Sequence, residues 1–258
     1  MGLGSDGAHV ADDKTVWQIS RGSETLKKIP ALGINNCSQN KIVTSGSFVW
    51  VLNSCEVKNG SASSVFSSLL LRNDPKTGER NVATLATVGD GGSQLLINRD
   101  KVWVNTDFCN VVDKNTLEIR TFRPDRAASL GPLSGNAHRV YLVAAGSDAG
   151  PQFVIAIDPN TLKETARGAT LDKPIVNMIA DEQNVIAFGQ DEIYVLSASD
   201  LRLERVIKTT LIQFHADAAL ILNGDLLVAD GELGVDIPNR LLLFHNWRLP
   251  AAPMPAPK

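Results

Sequence analysis

What the chain lacks narrows its chemistry first. Histidine appears four times and cysteine three times in 258 residues. There is no CxxC pair and no histidine cluster, so the sequence encodes neither a zinc site nor a dense disulfide framework. GxSxG and HExxH are both missing, which removes the common hydrolase motifs. Charge is nearly balanced, 25 basic against 28 acidic residues for a net of -3, and nothing in that balance suggests a nucleic-acid partner. No apolar run approaches the roughly 20 residues that cross a bilayer. The longest, such as Leu241 to Phe244 and Leu220 to Leu222, are strand-sized, so the chain reads as soluble with no transmembrane segment. No long stretch shows the three-to-four spacing of a capped amphipathic helix. The opening MGLGSDGAHV has neither the basic start nor the apolar core of a signal peptide.

What is present is a repeat. Val102 to Phe122, VWVNTDFCNVVDKNTLEIRTF, reads as a β-branched and aromatic strand, a loop over Asn105 to Asn110, a strand from Val111, a turn over Asp113 to Thr116, and a strand to Phe122. Imperfect copies of its turn recur at Gly22 to Leu26, Asp74 to Gly78, Asp158 to Leu162, Ser197 to Leu201 and, degenerately, His245 to Trp247. Their last residues lie 52, 39, 45, 39 and 46 positions apart. That spacing, about 44 on average, fits four short strands and four loops.

The chain therefore reads as all-β, a β-propeller of six four-stranded blades over residues 1–249, or five if the first unit is part of a split blade. In the first unit the Gly-rich beginning offers no good innermost strand. In the second, Glu56 to Ser64 is expected to be a polar surface loop. The fifth is the most regular, with Ile175 to Ala180, Val185 to Phe188, Ile193 to Leu196 and Leu203 to Ile207 as its strands. Residues 250–258, PAAPMPAPK, form a Pro- and Ala-rich tail that cannot sustain a ladder. Gly89 to Gly92 precedes a strand and lacks a GK[ST] ending, so it reads as a blade-to-blade loop. Trp17, Trp50 and Trp103 recur in VW strands, for inter-blade packing or, alternatively, as a ligand-stacking platform. Cys55 and Cys109 follow similar VW strands and are expected in corresponding loops. The cysteines read either as a Cys37 to Cys55 bridge or as small buried apolar residues.

Carboxylates supply the sharpest pattern. Asp12 and Asp13, Asp107, Asp148, Asp191 with Glu192, and Asp230 with Glu232 each follow the second strand of a unit, where the second unit has Asn53. Three readings stand: favoured loop residues closing each blade, a site for a divalent cation such as calcium, which takes six to eight oxygens, or recognition of a basic partner. Among the histidines, His9 and His138 precede second strands and belong on the opposite face, and His245 sits in an outer turn. His215 alone is placed to meet Asp230 or Glu232, and is the candidate for acid-base work.

Leu227-Val228-Ala229-Asp230 with Asn239-Arg240-Leu241 to Phe244 resembles the VAD…NR…F pattern of NHL-type blades. Val102-Trp103-Val104-Asn105 with Val112-Asp113, and Ile155-Ala156-Ile157-Asp158-Pro159-Asn160-Thr161, resemble the blades of bacterial YVTN and YncE-like propellers, shared in part with streptogramin-lyase-like proteins. The resemblance covers most of the chain as architecture and implies an extracytoplasmic location. The lyase-like relatives use a histidine and glutamate site with magnesium, and that set does not match positions here. The GH…WD signature of WD40 blades is also missing. The sequence thus favours a non-enzymatic propeller that binds a protein or small ligand on one face through variable loops such as Glu56 to Ser64 and Gly231 to Pro238. The alternative is a metal-dependent lyase or lactonase-like hydrolase at the central channel.

Overall fold

The computed structural model describes residues 2–4, 7–11, 16–20, 26–29, 37–59, 63–74, 76–85, 94–106, 108–125, 127, 129–146, 150–208, 216–230 and 240–248. Every regular element among them is a strand, and the strands form six antiparallel sheets, five of four strands and one of three. In chain order these are β1 (Gly2–Gly4), β2 (Gly7–Ala11), β3 (Val16–Ser20) and β4 (Leu26–Ile29); β5 (Cys37–Ser45), β6 (Phe48–Asn59), β7 (Ser63–Asn73) and β8 (Arg80–Thr84); and β9 (Gln94–Asn98), β10 (Lys101–Asn105), β11 (Cys109–Asp113) and β12 (Ile119–Phe122). There follow β13 (Ser129–Gly135), β14 (Val140–Ala145), β15 (Gln152–Ile157) and β16 (Glu164–Arg167); β17 (Asn177–Ala180), β18 (Asn184–Phe188), β19 (Glu192–Ser197) and β20 (Leu203–Lys208); and β21 (Ala216–Leu222), β22 (Asp225–Asp230) and β23 (Arg240–Phe244). Each strand pairs with the next in sequence. Such serial meanders are the blades of a β-propeller.

The chain divides into two compact units, Met1–Arg123 with the first three sheets and Pro124–Lys258 with the last three. In the first unit, Trp50, Leu52 and Leu70 of the second sheet bury against Val102, Val104 and Val112 of the third. Val49, Val51 and Leu71 point into a separate cluster with Ile42, so alternation along β6 fills both faces of its sheet. In the second unit, Tyr141, Val143 and Val154 pack on Val185, Ala187 and Tyr194. Ile186, Phe188 and Val195 then pack on Leu226, Val228 and Trp247. A blade stacked on both sides needs unbroken apolar runs in its middle strands. β14 and β18 are accordingly buried at every residue.

One turn recurs between the third and fourth strands. The Asp113 carboxylate accepts the amides of Asn115 and Thr116, both at 2.9 Å, and Asp158 accepts those of Asn160 at 2.7 Å and Thr161 at 3.0 Å. The fifth residue then donates back to the first: Gly78 to Asp74 at 2.8 Å, Leu117 to Asp113 at 3.0 Å, Leu162 to Asp158 at 2.9 Å and Leu201 to Ser197 at 2.9 Å. Arginines grip these turns from the preceding sheet. Arg72 donates to the Lys114 carbonyl at 2.6 Å, Arg139 to those of Ala198 and Ser199, and Arg205 to that of Trp247 at 3.2 Å.

Four expectations are corrected. β1 does supply an innermost strand to the first sheet, paired through Gly2 with His9; glycine is a poor strand former, but a short backbone ladder does not require side chains. Glu56 to Ser64 is not simply a loop: β6 and β7 stay in register out to Asn59 opposite Ser63, because a polar ribbon is extended by its hydrogen-bond ladder rather than by an apolar run. The loop expected over Asn105 to Asn110 shrinks, since Asn105 ends β10 and Cys109 and Asn110 open β11. Cys55 and Cys109 therefore both lie in strands. Cys55 stands directly across from Cys37 in the β5/β6 register and is disulfide-bonded to it, while Cys109 is free and buried.

Candidate functional site

In an antiparallel four-stranded meander, the connection after the second strand and the one leaving the fourth open at the same end. In the second unit these include Gly146, Gly150 and Pro151, then residues 168–176, of the fourth sheet and the tight 189–191 connection of the fifth. Gly189 donates to the Glu192 carbonyl at 2.8 Å to close that hairpin. A Cβ on Gly189 would lie 3.2 Å from Cβ of Lys173, so glycine lets the longer connection pack closely upon the hairpin.

Between Gly150–Gln152 and Thr170–Pro174 this packing leaves an open groove of about 560 Å³. That is the scale of a ligand site. Gln152 ties the two walls together: its carbonyl accepts the Leu171 amide at 2.8 Å and its Oε1 accepts the Ile175 amide at 2.6 Å. Beneath the rim, the buried Tyr194 hydroxyl donates to Glu192 at 2.7 Å. Burial first, and then that hydrogen bond to a carboxylate, push the Tyr194 phenol well above its ordinary range. Lys208 stands 3.8 Å from Glu192, and Lys173 stands 3.8 Å from Asp191. The walls are thus held by backbone and side-chain bonds before any ligand arrives.

Among the sequence-derived carboxylates, Asp191 and Glu192 have described side chains: Asp191 faces Lys173, and Glu192 accepts the Tyr194 hydroxyl. Asp12, Asp13, Asp107, Asp148 and Glu232 lie outside the described residues, as do His215 and Gly89 to Gly92. Asp230 ends β22, with its side chain outside the description. Among the described residues no three His, Cys, Asp or Glu side chains group to hold a metal ion. Asn53 is buried, and its Nδ2 donates to the Val51 carbonyl at 3.3 Å. His138 stands 3.6 Å from Glu182 and His245 3.0 Å from Asp225, both at the opposite end, where the Asp and Ser turns lie. Trp50 and Trp103 are fully buried, which serves core packing and removes them as a ligand platform. Sequence reading missed Gln152, Asp172 and Lys173. Their signal was slight: Gln152 follows Pro151 and Lys173 precedes Pro174, and neither proline marks a binding motif.

No family model matches the chain, and no curated protein matches it. Solved structures do. The chain is similar to Hsv2 of Kluyveromyces lactis, with a TM-score of 0.62 and 13% identity, over 88% of this chain and 69% of that one. It is similar to Sqt1 of Saccharomyces cerevisiae, with a TM-score of 0.57 and 12% identity, over 84% of this chain and 63% of that one. The chain thus spans less than two thirds of Sqt1. At such identity the likeness establishes the β-propeller fold alone.

Proposed function

We propose that the chain is a non-enzymatic binding propeller that recognises a protein or small ligand at the blade end bearing the 150–174 groove. The observation that carries this reading is the tied groove itself: its walls are fixed through Gln152, so binding there costs little ordering. The blade motifs of the YVTN and NHL kind agree, since they place variable loops at that end. The Cys37 to Cys55 bridge favours an oxidising, extracytoplasmic compartment, where such bonds persist. The second reading, a metal-dependent lyase or hydrolase, would need its carboxylates to converge on an ion.

The test compares two arginine substitutions at exposed positions on opposite blade ends, Thr170→Arg in the groove wall and Asn160→Arg in the Asp158 turn. Partners recovered with the wild-type chain should be lost with Thr170→Arg and kept with Asn160→Arg. Loss through Asn160→Arg alone, or equal recovery with both, would place recognition elsewhere.

A further inference from the structure

The groove's chemistry is uneven. Pro151, Leu171 and Pro174 give it apolar walls, and Asp172 and Lys173 give it charge. The Lys173 ammonium is compensated by Asp191 at 3.8 Å. Asp172 is exposed and has no cationic partner among the described residues. Among the described residues that line the groove, a ligand therefore meets one carboxylate without an ion-pair partner, Asp172, beside apolar walls.

Resting on the binding reading above, we infer that the groove takes a lysine or arginine side chain from an extended segment of a partner protein. The aliphatic stem lies against Pro151 and Pro174, and the cationic head sits on Asp172. Long basic side chains have this division, an apolar stem ending in a charge. The alternatives fit worse. A carboxylate ligand would be repelled by Asp172, and a purely apolar one would strip water from that carboxylate without replacing the lost bonds. Arginine has the added capacity for a two-pronged hydrogen bond to the carboxylate.

The experiment uses the full chain, isotopically labelled, and four blocked pentapeptides, Ala-Ala-Xaa-Ala-Ala with Arg, Lys, Gln or Glu at the centre. Amide shifts of Gly150, Thr170 and Asp172 are followed by NMR. The arginine and lysine peptides should give saturable shifts at these amides and bind at least about fivefold more tightly than the glutamine and glutamate peptides, weakening as salt rises. Asp172→Asn should erase the preference and Asp172→Lys should reverse it toward glutamate. Both changes are at an exposed position, where folding is little affected. Equal binding of the arginine peptide to wild type and Asp172→Asn, tight binding of the glutamate peptide to wild type, or no saturable shift with any peptide would overturn the assignment. The result is separable from the wider reading. If Thr170→Arg still loses partners while the peptide preference fails, the platform stands and the basic-side-chain contact falls; if partners also persist with Thr170→Arg, both fall.

Discussion

Leu117, Leu162 and Leu201 hold left-handed backbone, with φ of 62°, 57° and 61°, at the position where the second sheet uses Gly78 at 75°. A side chain there costs about 1–2 kcal/mol. Burial offsets it, because Leu201 is fully buried and a buried leucine contributes about 1.5–3 kcal/mol. Leu201→Ala keeps the strain and loses the packing, so urea unfolding should show a loss of about 2–5 kcal/mol. Leu201→Gly also relieves the strain, and should therefore be about 1 kcal/mol less damaging than alanine; a glycine variant as unstable as the alanine one would refute the argument. Asp113 offers a test by pH. Hydrogen bonds from the Thr116 and Asn115 amides hold its carboxyl below the ordinary range. A folded-state value depressed in this way contributes stability above the unfolded value of about 3.9 and loses it as pH falls through the folded one. Asp113→Asn keeps the acceptor oxygen but cannot titrate, so melting midpoints between about pH 5 and 2 should fall less steeply than for wild type. The turn was legible in the sequence as Asp, Asn and Thr. Its left-handed leucine was not, because leucine there is chosen by the core and not by the turn.

At the scale of elements, the β6/β7 ribbon runs past its neighbours: β5 reaches only Cys55 through Cys37, and β8 reaches only Leu69 through Thr84. A two-stranded ribbon is marginal by itself, and the disulfide sits where the ribbon leaves the sheet. Replacing Cys37 and Cys55 together by serine should cost about 3 kcal/mol, for a sequence separation of 18, and should speed hydrogen exchange at Val57 and Lys58 more than in β14. Uniform acceleration across both would contradict a local staple. Cys109 should stay silent to thiol reagents in the native chain and react on unfolding, since burial pushes its thiol up to about 12; rapid native labelling would contradict that burial. Strands with continuous apolar runs, such as Val140 to Ala144 and Val185 to Phe188, were readable because each is covered on both faces. β1 and the outer ribbon were not, because glycine- and serine-rich segments pair through backbone groups that leave no side-chain pattern. The arginine grips were equally hidden: Arg72, Arg139 and Arg205 hold carbonyls 42, 59 and 42 positions away, a distance no local motif records.

For the whole molecule, an identity of 12–13% to solved propellers shows what the blade pattern constrains. It fixes buried alternation and turn chemistry, and leaves the loop ends free to carry recognition. That is also why the site was harder to read than the fold. The acidic pattern after second strands was visible, but most of its carboxylates lie outside the described residues, while the groove depends on Gln152 accepting two amides across a blade connection. A binding platform and a metal-centred enzyme differ in the thermal unfolding midpoint after chelation and again with added calcium or magnesium. An ion bound only by the folded chain must raise that midpoint. A binding platform should show the same midpoint in all three conditions; a rise of several degrees with either ion would contradict that reading and return the carboxylates to the centre of the chemistry.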